Sequence, residues 1–391
     1  MALLVPLVVL LFALFAHVLN DFGPLDIYAP PQPSTENSRY FSASYYEARA
    51  LFRAQAAAAK ATLVTRPLEG LEPLDGFAGS AIQSALLERV AAAAGDGSEQ
   101  EADPTRPTVI LVHALNAYGF AQLRRFNEHN VDLNRNWLTP KNFTAFVAAD
   151  PNAYGYMDVF DLLNPSTLSG LRQSFWAKAA YYLATAGFAA VKRATVSGNY
   201  RFPQSIFYGG GELQPSLRIL RDFLVKRVEL DGVRAFAFID VHTGLGAPGV
   251  DTLMASTGSD IERLTEVFGE LERTTNKIVP VRGGAGNDVS QGYDGSFGFI
   301  IDGVAALLPP SSRKNNVLVV QEFGTVAGPF VLKAVVEENF VFHAAPGERL
   351  AYAEKLRDVF YLHKSAQWKR DVLARGLAVF DQVYAHIGTC E

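Results

Sequence analysis

The sequence predicts an α/β protein built on a mainly parallel sheet. Three observations carry this expectation. Three β-rich apolar runs occur, at Thr108–His113, Ala235–Val241 and Val317–Gln321. Near-continuous apolar runs suit strands that are buried on both faces. Helix-like stretches lie between them, at Leu171–Ala186, Gln214–Lys226 and Ile261–Asn276, and strands alternating with helices favour parallel pairing. Finally, 49% hydrophobic against 19% charged residues leaves room for a sizeable core.

The elements follow in order. Ala2–Leu19 is apolar, broken by Pro6 and His17, with no Lys or Arg ahead of it. A membrane span needs about 20 apolar residues. Residues 1–20 are therefore expected to be a secretory signal, with a signal anchor or a buried helix as the other readings. Membrane contact is expected there alone. The sequon Asn142-Phe143-Thr144 agrees with a secreted or endomembrane route. Residues 21–39 read as a Pro-rich linker, and residues 40–391 as one large domain. Tyr40–Lys60 is a helix candidate, with Ser44 as its cap. Gly76–Ala94 is a second, with Ile82, Leu86, Leu87 and Val90 at helical spacing. Gly95–Pro107 reads as an exposed loop, and Gly283–Gly298 as a Gly-rich loop beside the site.

Several function classes drop out. Lys and Arg total 35 against 40 Asp and Glu, a net charge of −5 without a basic tract, so nucleic acid is not an expected partner. The single cysteine, Cys390, excludes an intramolecular disulfide and a Cys-based zinc site. The sequence has no Gly-x-Ser-x-Gly elbow and no Walker A loop, which argues against serine hydrolases and NTPases. Gly244-Leu245-Gly246-Ala247-Pro248-Gly249 matches a dinucleotide fingerprint. That fingerprint needs a helix to open there, and Pro248 followed by Val250-Asp251-Thr252-Leu253 does not look like one.

Two groups of residues point to chemistry. Asn127–Trp137 places eight polar or charged residues in eleven positions, with Asn134 and Arg135 adjacent and Arg124 and Arg125 upstream. A guanidinium presents a planar fork that matches a carboxylate, and an amide adds a further donor. Surface ion pairs are the competing reading. The second group lies at the strand ends, where ligands bind in open α/β sheets. The first run ends in His113 and Asn116, the second in Asp240-Val241-His242-Thr243-Gly244, the third in Gln321-Glu322-Phe323-Gly324-Thr325. A His and a Glu delivered to one rim suit metal or acid–base work. A satisfied structural histidine, and a Glu322 paired with an arginine, are the alternatives.

Together, His113–Trp137, His242-Thr243-Gly244 and Glu322-Phe323-Gly324-Thr325 resemble the zinc carboxypeptidase superfamily, in its branch described as a domain of unknown function. Phe77–Gln83 and Asn199–Gly211 resemble that branch too. The resemblance implies a mostly parallel, partly mixed sheet with helices on both faces. It implies zinc-dependent hydrolysis of a peptide or amide bond near a free carboxylate. The substrate would be a peptide or a small acylated amino acid. Asn134 and Arg135 would hold the carboxylate, with Tyr293 covering the substrate. Arg125, or Arg124 beside it, would stabilise the oxyanion. His242 would ligate zinc, and Glu322 would act as general base on the metal-bound water.

The sequence departs from that pattern at one place. The first zinc motif, His-x-x-Glu, aligns with Glu72-Pro73-Leu74-Asp75, and the segment ahead of Gly76 has room for one strand at Thr62–Thr65. Three readings compete. Glu72, Asp75 and His242 form an altered metal site, since carboxylates also ligate zinc. Alternatively, the chain is a non-catalytic relative that binds C-terminal carboxylates. In the third reading, a defective gene model or splice form lacks a piece that carried a strand and the motif.

Overall fold

The computed structural model describes residues 36–65, 76–94, 106–255, 261–269, 277–280 and 296–390. The expected signal or anchor lies outside them, as does most of the linker. Among the described residues, no helix is long and apolar enough to cross a membrane.

The elements in chain order begin with helices α1 (Tyr45–Ala58), α2 (Phe77–Ala94), α3 (Ala117–Gln122) and α4 (Pro140–Ala148). Helices α5 (Phe160–Leu163), α6 (Leu168–Ala186), α7 (Phe188–Ser197) and α8 (Pro215–Arg227) follow. Then come β1 (Ala237–Pro248), β2 (Asp251–Ala255), α9 (Ile261–Phe268), β3 (Lys277–Pro280), α10 (Ile300–Ala305) and β4 (Val317–Gly324). Helices α11 (Gly328–Ala344), α12 (Arg349–Phe360) and α13 (Ala366–Gly388) close the chain. Local chemistry accounts for several boundaries. Ser44 caps α1 by accepting from Glu47 N, and Glu47 in turn accepts from Ala43 N at 2.8 Å. Pro215 starts α8, where its missing N–H costs nothing, and Lys226 and Arg227 sit at the negative end of the helix dipole. The sequon falls on α4, whose Phe143 is buried.

The sheet order is β1-β4-β2-β3. β1 runs parallel to β4, β2 runs parallel to β3, and β2 runs antiparallel to β4. The α/β class therefore holds, with a small mixed sheet. All eight residues of β4 are buried, as its unbroken apolar run requires of a central strand. Its residues divide by parity between two helical layers. Leu318 and Val320 pack with Leu220, Leu224 and Ile300 of α8 and α10. Val317 and Val319 pack with Leu264 of α9 and Val379 and Val383 of α13.

One expected strand fails. Thr108–His113 belongs to no strand, helix or turn. Among the described residues, no backbone–backbone hydrogen bond reaches Thr108–Leu115. The Val112 carbonyl instead accepts from the Gln83 side chain at 3.0 Å. A strand is a paired object, and no described backbone pairs with this one. Thr62–Thr65 is likewise not a strand, and its Leu63 and Val64 are exposed. The helix expected over Ile261–Asn276 ends at Phe268, with residues 270–276 outside the described residues.

A buried ion pair ties the loop after α3 to α11. The Arg124 and Glu338 side chains are fully buried, 2.9 Å apart. Arg124 also donates to Asn130 Oδ1 at 2.9 Å and Asn339 Oδ1 at 3.0 Å, and its guanidinium lies 3.3 Å from the Phe342 ring centroid. Burial pushes both groups towards their neutral forms, and their mutual attraction opposes it. Glu338→Ala leaves a buried cation without its partner and is expected to lower unfolding free energy by about 3–5 kcal/mol. The paired change Arg124→Met with Glu338→Leu is expected to recover much of that loss in denaturant titrations.

Candidate functional site

A cleft of about 880 Å³ runs along the outer edge of β1. Its walls are β1 itself and the segment 106–116. Ile82, Gln83 and Leu86 of α2, with Phe380 and Val383 of α13, cover one side. Leu220, Phe223 and Leu224 of α8 cover the other. One end, near Pro107 and Ile387, is also lined by Arg106, Arg227 and Arg234. The other end gathers His113, Asn116, Arg125, Asp132, Asp240 and His242.

The sheet register builds the polar end. His242 lies beside Glu322 on the adjacent parallel strand, and Asp240 lies beside Val320. Side chains at paired positions of a sheet share a face, as do residues two apart. Asp240, His242 and Glu322 therefore share one face. His242 Nε2 is 3.0 Å from Asp240 Oδ2, an ion-pair distance without hydrogen-bond alignment, and that oxygen is buried. Asp240 was not singled out from the sequence, although its place two residues before His242 on an expected strand carried the signal. Past Thr243 the register jumps, so that Pro248 pairs with Gly324. Gly244, at φ +142°, starts that excursion. It lets the Leu245 N–H donate to Glu322 Oε1 at 2.9 Å. An amide hydrogen bond thus helps a carboxylate tolerate an otherwise apolar strand. β1 continues through the Gly-rich motif without a helix opening there, in agreement with its exclusion as a nucleotide loop.

Arg125 reaches the cleft and Arg124 does not. Arg125 donates from Nε to Asp132 Oδ2 at 3.1 Å, with a terminal nitrogen 3.0 Å from the same oxygen. Burial alone would raise the Asp132 pKa, but Arg125 and Arg135 outweigh it and hold the carboxyl below its ordinary range. Asn134 lines the cleft, and its Oδ1 accepts from Ile300 N at 3.0 Å. Arg135 is buried and is not among the cleft-lining residues. It donates to the Val196 carbonyl at 2.8 Å and the Asn134 carbonyl at 2.8 Å.

Most of the polar loop Asn127–Trp137 works inward. Asn127 Oδ1 accepts from His129 N and Val131 N. Asn130, in the left-handed region at φ +59°, donates to the Pro203 and Ser205 carbonyls. Asn136 donates to the Gly209 and Glu212 carbonyls and accepts from Gln214 N. These amides satisfy backbone groups that no sheet or helix reaches.

The other candidates separate. Glu72, Asp75 and Tyr293 lie outside the described residues, as does most of the Gly-rich loop. Among the described residues, no group of three or more His, Cys, Asp or Glu side chains is placed to hold a metal ion. His242 supplies one ligand type, and the described residues do not complete a zinc site around it.

With the cleft in place, the comparisons are informative. A family model described as "Protein of unknown function (DUF2817)" matches residues 63–375. The chain belongs to this family. No curated protein and no solved structure matches it. The DUF2817 match takes in all four strands and every cleft residue before Gly376, including Arg125, Asp132 and His242, and it also covers Glu322, which lies off the cleft lining.

His113, on the cleft wall of this DUF2817 chain, gives a pH test. Burial first, and Arg49 second, lower its pKa to about 4. Its Nε2 lies 2.9 Å from Ser80 Oγ, and its ring lies 4.4 Å from that of Phe52. Above pH 6.5 the imidazole is neutral both folded and unfolded. Between 6.5 and about 4, only the unfolded form takes up the proton, so stability falls as pH falls. Full expression of that shift corresponds to about 3 kcal/mol. Denaturant unfolding across this window should lose less stability in His113→Asn than in the wild type.

Proposed function

We propose that this chain recognises a peptide or a small acylated amino acid by its free carboxylate, with Arg125 as the cation that receives it. The observation that carries the reading is the position of Arg125. It faces an 880 Å³ cleft, and Asp132 fixes its orientation. A guanidinium held in place loses less freedom on binding a carboxylate than a mobile one. Asn134 on the same lining is a second polar contact. Arg125 takes the part that the carboxypeptidase resemblance gives to Arg135, which lies off the lining and bonds backbone carbonyls.

Hydrolysis is the second reading, favoured by His242 on the same lining as Arg125, with Glu322 registered beside it on β4. In it, Glu322 is the base that draws a proton from water, and Arg125 faces the charge that develops on the carbonyl oxygen. Zinc, where bound, would supply an activated water. The described residues do not complete its ligand set.

Two measurements test these readings. Arg125→Gln is expected to weaken free-acid ligands by about 1.5–3 kcal/mol and leave their C-terminal amides unchanged. Equal loss for acid and amide in calorimetric titrations would refute carboxylate recognition. For hydrolysis, metal analysis of the purified chain must find stoichiometric zinc that His242→Ala removes. Metal-free protein at micromolar zinc would sink that reading and leave the binding role standing.

A further inference from the structure

The cleft has the shape of a vacant strand position. Every residue from Ala237 to Thr243 is half-buried, whereas all eight residues of β4 are buried. Consecutive strand residues point to opposite faces, so exposure at each one comes from the open edge and not from an open face. Among the described residues, β1 has β4 as its neighbour in the sheet order and none on its other side. Across the cleft, Thr108–Ala114 belongs to no helix, turn or strand, and among the described residues no backbone–backbone hydrogen bond reaches it. Its β-branched Val109, Ile110 and Val112 are 46%, 42% and 42% exposed.

The two walls run in the same direction. At one end, Gly76 of the turn into α2 packs near the His113 carbonyl, and Gly79 packs on Val241. At the other end, Gly388 of α13 packs near Pro107, and Ile387 packs in the cluster that holds Ala237. Helices α2 and α13 cover one face of the gap and α8 the other, as they would cover a strand. The length agrees, since all six residues of Ala237–His242 line the gap.

We infer that the ligand is an extended peptide that enters this gap as an additional strand, parallel to β1, with its C-terminal carboxylate at Arg125. The direction rests on the carboxylate reading above. Arg125, held by Asp132, sits at the end of the cleft where β1 reaches His242, and Arg106, Arg227 and Arg234 line the other end. Main-chain bonds to both walls supply affinity, and the helical layers select apolar side chains at alternate positions. Side-chain selection of this kind does not require a particular residue at the peptide's end.

The test uses the hexapeptide Thr-Val-Thr-Val-Thr-Leu as free acid, as C-terminal amide, and with two backbone nitrogens methylated. Binding to the full chain is followed by calorimetry. The free acid should bind, and N-methylation should weaken it about 100-fold, because it removes strand hydrogen bonds and adds steric bulk. Equal affinity of methylated and unmethylated peptides overturns strand addition, as does absence of binding at millimolar peptide. Amidation tests the other reading separately. If amidation has no effect while N-methylation does, strand addition stands and the carboxylate role of Arg125 falls. Sequencing the transcript across codons 60–76 gives a further arm. An additional segment there that encodes a β-forming run would fill the gap in cis and overturn the peptide as its occupant.

Discussion

The functional geometry depends on one constraint, that β1 is hydrogen-bonded on one side. β4 holds His242 beside Glu322, and among the described residues no strand pairs with the other edge of β1. An unpaired edge exposes donors and acceptors and is ordinarily a hazard, because another strand can add to it. Here the helices α2, α8 and α13 extend past the edge and enclose it. The hazard becomes a cavity whose floor and roof already exist.

The second theme is where charge is neutralised. The carboxylate seen by both Arg125 and Arg135 is the chain's own Asp132. Asp132 also caps the short turn at Leu133–Arg135 by accepting from Asn134 N. One residue therefore shapes the loop and orients the cation that faces the cleft. Arg124, its neighbour in sequence, serves a separate network with Glu338, Asn130 and Asn339. Adjacent arginines thus divide between the cleft and the core, since Leu123 turns the chain at φ +54° and aims the next two side chains apart.

Much of this was legible in the residues. The apolar runs before Gln321 and His242 announced β4 and β1, because burial on both faces leaves a continuous signature. The helices at Tyr45, Phe77, Leu168 and Pro215 followed from spacing and caps. Thr108–His113 carried the same signature and failed, since apolar composition specifies burial and not a partner. The loop Asn127–Trp137 was misleading in another way. Its polarity reads as surface or site, yet Asn127 and Asn136 are fully buried and spend their amides on backbone groups. Which of several amides faces a ligand is decided by long-range contacts with Gln214, Gly209 and Ile300, which local spacing does not encode. Of the three readings of the altered Glu72–Asp75 stretch, the gap between β1 and residues 108–115 bears on the third. A missing strand would leave a space of that kind.

Cys390 lines the cleft at the end near Pro107 and Ile387 and is the sequence's single thiol. It is half-buried and free. A maleimide dye or spin label therefore attaches at one place per molecule, beside the opening, without any cysteine having to be removed first. The chain carries its own reporter position for watching what enters between β1 and the wall opposite.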